Sequence, residues 1–270
     1  MQATCNIVNI AAALEALSVN EGILSAEEKR SLDEKGYVLF EQLLEPELLR
    51  ELRERYDAIA EAEGARAGLD YHKEAGALRI GNIVNKGECF GHVWAHPKYL
   101  AACWHIFKGE FRLSSISARE PLPNSGLKQQ GLHPDYWGDA HDPEFPSQSA
   151  DAAFMLDDFS PENGATRLVP GSHRFASRPE HVMSDTSDDH PQQIVITAPA
   201  GSVLVYNGHT WHSGTLNTSG RRRRALFPYM VSVKYWDKGL YQWDRLLKQT
   251  WDKLSEAQRY ILLGDRTTAP

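Results

Sequence analysis

Apolar positions along this chain repeat with two different periods, and the change from one to the other divides it. Between residues 45 and 60, Leu48, Leu49, Leu52, Tyr56 and Ile59 recur three or four positions apart, the spacing of one helical face. Glu45-Pro46-Glu47 stands before them, with proline where the first turn has no use for an amide hydrogen, so a helix is predicted to open there. Upstream, Ser25-Ala-Glu-Glu28 has a serine followed three positions later by a glutamate. That is the spacing of a capping box and predicts another helix start. Gly36-Tyr-Val-Leu-Phe40 reads as a short buried strand, and residues 1–24 are only weakly amphipathic. From about Pro97 to Phe107, Leu100, Cys103, Trp104 and Phe107 share one side of a further predicted helix.

From Phe111 the period shortens. β-like runs at Arg112–Arg119, Ala152–Leu156, Thr166–Val169, Gln193–Thr197, Ser202–Tyr206 and Arg224–Val233 alternate with clusters of proline, glycine, asparagine and serine. Short strands with turn signals between them predict a sandwich or barrel. Residues 184–191 read as a polar, mobile loop, and helical texture returns from Trp236 to Leu263, where Trp243, Leu247, Trp251 and Leu254 lie about a turn apart. The tryptophans of this tail are expected to pack on the barrel or on another subunit. A single domain over residues 1–270 is expected, mainly β with flanking helices. N-terminal helices and first strands occupy about 25–110, the β-barrel core about 111–234, and a helical segment about 235–270.

Composition narrows the function classes. The chain has 270 residues, enough for a sizeable core without staples, and a formal charge of −7. That sign argues against a general nucleic-acid or anionic-membrane partner. Its three cysteines share no C-x-x-C spacing, which points away from a disulfide framework or a thiolate zinc site. The first basic residue is Lys29, the longest apolar stretch is broken by Glu15, and the C-terminal Thr-Ala-Pro matches no targeting address. A cytoplasmic protein is therefore expected. Histidine is the abundant chemical resource, with 11 residues.

Two segments carry histidines in a chemically suggestive setting. His133-Pro134-Asp135 puts an imidazole and a carboxylate two positions apart, on one face if the segment is an extended strand. Trp211-His212-Ser213-Gly214 ends a later strand with a second imidazole. Two imidazoles and one carboxylate make the facial triad of non-haem iron(II) oxygenases, although H-x-D arises by chance and either histidine can be a hydrogen-bonded core residue. Arg221-Arg-Arg-Arg224 runs directly into Ala225-Leu-Phe-Pro-Tyr-Met230 and so opens a core strand. Alternation sends Arg221 and Arg223 to one face and Arg222 and Arg224 to the other. An arginine turned into a barrel needs an anion, and a ligand carboxylate suits its two-pronged donor geometry.

Met155-Leu-Asp-Asp-Phe-Ser-Pro-Glu-Asn-Gly-Ala-Thr-Arg-Leu-Val-Pro-Gly-Ser-His-Arg174 matches an N-G-A-T…P-G-S-H signature. With Gly36–Phe40 and the H-x-D segment, it makes the sequence resemble the phytanoyl-CoA dioxygenase family over about 200 residues. The resemblance implies a double-stranded β-helix (jelly-roll, cupin-like) core and an oxygenase using Fe(II), 2-oxoglutarate and O2, with release of succinate and CO2. It implies His133, Asp135 and His212 as iron ligands. It also places the 2-oxoglutarate arginine eleven positions after the distal histidine, at Arg223, in agreement with alternation. Gln130 and Thr166 match frequent contacts to 2-oxoglutarate. The family's H-x-S variant would have serine at position 214, where this chain has glycine, so Ser213 reads as a turn residue as readily as a ligand. Asp135 stands where related halogenases lack a carboxylate, which implies hydroxylation, desaturation or ring modification instead of halogenation.

The remaining candidates are weaker. His209, three before His212, faces away in an extended strand; His173 belongs to a loop-shaping turn; His141, near Asp139 and Asp142, lies in a polar loop. Tyr136 and Trp137 follow the H-x-D segment and either line a substrate pocket or pack the barrel. A small organic substrate, a secondary metabolite, is expected, with the protein a monomer or homodimer. Two rivals remain: a cupin-like metal-dependent dioxygenase or isomerase without 2-oxoglutarate, and a non-catalytic barrel binding a small carboxylate or metal.

Overall fold

Residues 7–135, 147–238 and 245–264 are described by the computed structural model. Helix α1 (Ile10–Ala16) forms where only weak amphipathicity is legible. Asn9 caps it by accepting the Ala12 amide at 2.9 Å, and Ile10, Ala13 and Leu14 are buried. A helix this short depends on packing more than on propensity. α2 (Ala26–Lys35) starts as its spacing predicts: Ser25 Oγ accepts the Glu28 amide at 3.2 Å while Glu28 Oε2 accepts the Ser25 amide at 2.7 Å. Such a cap stabilises by about 1 kcal/mol. The helix stops at Gly36, whose φ of +80° is left-handed and whose Cα faces His173 so closely that a Cβ would lie 2.4 Å from Nδ1. Glycine is required there on both counts.

β1 (Tyr37–Phe40) and α3 (Pro46–Glu63) follow. α3 buries Leu52, Tyr56 and Ile59, with an aliphatic side chain such as Leu52 contributing roughly 1.5–3 kcal/mol. β2 (Ala77–Ile80) and the single turn α4 (Gly91–Trp94) carry no sequence signal, whereas α5 (Pro97–Phe107) does. In α5, Leu100, Cys103 and Phe107 are buried as expected. Trp104 is not: it remains 39% exposed, because Tyr99, Ala102 and Ile106 complete the buried face.

The strands are β3 (Phe111–Pro121), β4 (Ser149–Met155), β5 (Thr166–Leu168), β6 (Ile194–Val195), β7 (Val203–Asn207), β8 (His212–Gly214) and β9 (Ala225–Ser232). They form a six-stranded sheet ordered β1-β7-β4-β9-β3-β2 and a three-stranded sheet ordered β6-β5-β8, with antiparallel pairing throughout. Alternation gives the large sheet two different apolar faces. Ala152, Phe154, Val203, Val205, Leu226 and Met230 pack into one core with the helices. Ala153, Met155, Leu204, Tyr206 and Ala225 point the other way, into a second core shared with Leu168, Ile196 and Ala198. This antiparallel core with flanking helices is the expected jelly-roll. The tail is not one helix: a second capping box, Ser255 with Gln258, separates α6 (Lys248–Trp251) from α7 (Glu256–Leu263). Trp251 is buried and Leu247 exposed, while Trp243 lies outside the described residues. No helix among the described residues is long and apolar enough to cross a membrane.

Candidate active site

His133 and Asp135 do not sit on a strand, which corrects the reading of the H-x-D segment as extended β structure. His133 forms an isolated antiparallel bridge with His212. Its amide donates to the His212 carbonyl at 3.1 Å and the reverse bond is 3.0 Å. The chain then bends, and the Asp135 amide donates to Gly208 O at 2.6 Å. These bonds bring one ligand atom from each of His133, Asp135 and His212 within 4.8 Å of the others.

The imidazoles are oriented for coordination. His133 Nδ1 lies 2.9 Å from Gly131 O, and His212 Nδ1 lies 2.9 Å from Thr210 O. A carbonyl only accepts, so each Nδ1 carries the proton and each Nε2 lone pair is left available. Those Nε2 atoms face Asp135, at 3.8 Å for His133 and 3.4 Å for His212. Burial opposes charge on His212, yet the Asp135 carboxylate outweighs it and holds the His212 pKa above its ordinary value. Burial also opposes charge on Asp135, but His212 and then His133 keep the carboxylate below its usual range. For His133, burial and the neighbouring His212 push the pKa down.

The same cavity, about 370 Å³, is lined by Arg223, Gln130 and Thr166. Arg223 is 1% exposed, and its Nε and Nη1 have no hydrogen-bond partner among the described residues. Its guanidinium lies 4.7 Å from the Phe159 ring centroid. Its neighbours behave as alternation predicts: Arg222 pairs with Glu120 and Asp57, and Arg224 with Asp157 and Asp57, outside the cavity. Burial, with Arg119 and Arg79 close by, works against the Arg223 charge. A buried guanidinium without a partner is costly unless an anionic ligand completes it.

Several residues that line this cavity, or bond to those that do, were invisible to sequence reasoning. Glu74 receives Arg119 through Nε at 3.0 Å and Nη2 at 2.6 Å, and Arg79 Nε at 2.6 Å. Burial raises the Glu74 pKa, but Arg119 and Arg79 overcome it and hold the carboxyl at about 2. Gln130 bridges this cluster to β8, donating to Glu74 Oε1 at 2.9 Å and accepting the Gly214 amide at 3.0 Å. Asp151, Tyr71, Tyr206 and Tyr229 also line the cavity. For Glu74 the sequence holds no local signal. For Asp151 there is one: a lone acid in the otherwise apolar run Ala150–Met155.

Other candidates have structural partners. Ser213 Oγ accepts Arg167 Nε at 2.7 Å, which commits it to the barrel wall. Arg167 is fully buried and also donates to the carbonyls of Gln130, Thr186 and Asp188. Residues 184–191 are consequently tied to the core and are not the loose loop their composition suggests. His209 Nε2 accepts the Gln148 amide at 3.1 Å, and His173 Nε2 lies 3.2 Å from Asp33 O. Tyr136, Trp137 and His141 lie outside the described residues.

A family model described as phytanoyl-CoA dioxygenase (PhyH) matches residues 32–225, well over half of the chain. Among curated proteins, dioxygenase trt7 of Aspergillus terreus is 24% identical over 214 residues, covering 76% of this chain and 72% of the relative. Dioxygenase cdmD of Talaromyces verruculosus is 26% identical over 233 residues, covering 74% of this chain and 71% of the relative. Among solved structures, the non-haem alpha-ketoglutarate-dependent carbocyclase SnoK from nogalamycin biosynthesis superposes with a TM-score of 0.63 at 23% identity, covering 77% of this chain and 84% of SnoK. HygX from Streptomyces hygroscopicus, with nickel, 2-oxoglutarate and hygromycin B bound, gives 0.61 at 16% identity, covering 78% and 88%.

Proposed function

This chain belongs to the phytanoyl-CoA dioxygenase family, and from that membership we propose that it uses Fe(II), 2-oxoglutarate and O2 to oxidise a small organic molecule. One observation carries the proposal: two imidazoles and a carboxylate converge in the same cavity as a buried arginine whose Nε and Nη1 have no hydrogen-bond partner among the described residues. The donor set fits a divalent iron site, and the orphaned guanidinium fits a dicarboxylate. His133, Asp135 and His212 would hold the metal. Arg223 would take the distal carboxylate of 2-oxoglutarate, with Gln130 and Thr166 beside it. When bound, the metal and 2-oxoglutarate supply the oxidising chemistry, with succinate and CO2 as by-products.

The protein's own part is positional. The Gly131 and Thr210 carbonyls keep the imidazoles in the coordinating tautomer. Asp135 supplies a third protein ligand, which favours hydroxylation, desaturation or ring modification over halogenation. A cupin-like enzyme without 2-oxoglutarate would leave Arg223 buried to no purpose. A cavity of about 370 Å³ falls at the small end of ligand sites, and the two similar solved structures are a carbocyclase from nogalamycin biosynthesis and a protein holding hygromycin B. We therefore favour a small secondary metabolite over a coenzyme A thioester.

The test is spectroscopic. Under anaerobic conditions the protein with Fe(II) and 2-oxoglutarate should develop the weak visible charge-transfer band of a metal-chelated keto acid, and oxygen should then yield succinate. Absence of both band and succinate would rule the reading out.

A further inference from the structure

The inward side chains of the large sheet form rows across the strands, and the rows differ in charge. Tyr206 on β7 stands opposite Asp151 on β4, Asp151 opposite Tyr229 on β9, and Tyr229 opposite Ser115 on β3. Directly opposed residues share a face, and all four line the cavity. Two positions along β3, Ser117 stands opposite Phe227. Two further on, Arg119 stands opposite Arg79 of β2. At about 3.3 Å per residue, the Asp151 row and the arginine row are separated by roughly 13 Å of strand. The cavity therefore has a cationic end, lined by Arg79, Arg119 and Arg223, with Glu74 bonded to the first two from outside the lining, and an acidic, aromatic end around Asp151.

Among the described residues nothing pairs with Asp151 Oδ2. The residue is 6% exposed, and that oxygen is buried. Tyr206 and Tyr229 flank it in register, Tyr71 lines the same space, and the Tyr206 ring packs 4.6 Å from the His212 ring. A carboxyl sealed in a barrel without a donor or a cation is destabilising, so the missing partner is expected to be a ligand. A carboxylate flanked by tyrosines is a setting that recognises an organic cation, by charge pairing and by the attraction of aromatic rings for cations. An anion here would meet both Asp151 and Asp135, whereas a cation supplies the counter-charge that an ionised Asp151 lacks among the described residues. Burial and the Asp135 carboxylate disfavour charge on Asp151, and a bound cation would favour it.

Resting on the cofactor reading above, we propose that the Asp151 end of the cavity binds a cationic nitrogen of the substrate. The enzyme then oxidises an amine-bearing or quaternary ammonium small molecule at a carbon near that nitrogen, while the arginine end holds 2-oxoglutarate. The packing of Tyr206 between the Asp151 row and His212 puts the cation one ring away from the proposed metal ligands.

The test uses full-length protein with Zn(II) and 2-oxoglutarate, each titrated first on its own, and ligand-observed NMR with small probes. Two cations, choline and butylamine, are compared with their neutral isosteres, 3,3-dimethylbutan-1-ol and butanol, and with the anion 3,3-dimethylbutanoate. At least one cation should bind tenfold or more tightly than its isostere, the anion should not bind at this end, and Asp151→Asn should abolish the preference. Equal affinities for cation and isostere, or a preference that survives in Asp151→Asn, would overturn the proposal. Failure of the cofactor reading is seen separately, as loss of Zn(II) or 2-oxoglutarate binding in the wild type. The cation preference is also measured on metal-free protein, so the two outcomes are distinct.

Discussion

The backbones of His133 and His212 hydrogen-bond each other in both directions, at 3.1 and 3.0 Å, and their rings lie 4.7 Å apart. Position at this site is thus set by peptide groups, and the side chains are carried on them. Replacing one imidazole should leave the other where it is. We expect His212→Ala to lose at least a hundredfold in Co(II) affinity by titration. Its stability, followed by urea denaturation, should fall by only about 1–2 kcal/mol, the cost of the Nδ1–H bond to Thr210 O.

Metal binding should weaken as pH falls, with His212 setting the onset. Asp135 raises the His212 pKa above 6.5, so below that raised value a metal ion must displace a proton, and affinity declines with each unit of acidification. His133, shifted the other way, competes only at lower pH. Co(II) titrations at pH 8, 7 and 6 should show the decline. In Asp135→Asn the onset should move to lower pH even though affinity at pH 8 is reduced; an unmoved onset would contradict the coupling.

Arg223→Ala and Arg222→Ala should separate cleanly. Arg223 Nε and Nη1 have no hydrogen-bond partner among the described residues, so its loss should fall on ligand binding: the KM for 2-oxoglutarate should rise at least 30-fold, about 2 kcal/mol. Arg222 is half-exposed and paired with Glu120 and Asp57, so its removal should cost under about 1 kcal/mol of stability and leave KM unchanged. Arg223→Met should stabilise the ligand-free protein while abolishing 2-oxoglutarate binding, because it removes a buried charge that lacks a counterpart. Equal KM effects at 222 and 223 would refute the assigned register.

Gly214→Ser tests why this chain lacks a serine two residues after His212. A Cβ at 214 would lie 2.7 Å from Arg119 Nη1 and 2.9 Å from Gln130 Oε1. Both atoms are side-chain ends that can yield, so we expect a stability loss of only about 1 kcal/mol. The displaced Gln130 should weaken 2-oxoglutarate binding several-fold, read by the charge-transfer band.

Arg167→Met should release residues 184–193. Its guanidinium holds Ser213 Oγ, the carbonyls of Gln130, Thr186 and Asp188, and Gln193 Oε1. Leaving those acceptors unsatisfied should cost about 3–5 kcal/mol, and limited proteolysis should cut first within this strap.

The sequence by itself determined the local devices. A capping box marks where α2 begins and period-two runs mark the larger strands; strand alternation, a property of the chain alone, narrows the four arginines to Arg221 and Arg223, and the family resemblance selects Arg223. It also carried the signature of the family. Tertiary structure decided what those segments meet. The H-x-D segment is a bent crossing pinned to β8 and Gly208, not a strand, and nothing near position 133 encodes that. Glu74 acquires its role from Arg119 and Gln130, and Asp151 from Tyr206 and Tyr229, partners that lie dozens of residues away. Periodicity states which face a residue occupies. Only the order in which strands pair states whose face lies opposite, and the charge of the cavity is a sum over those opposing faces.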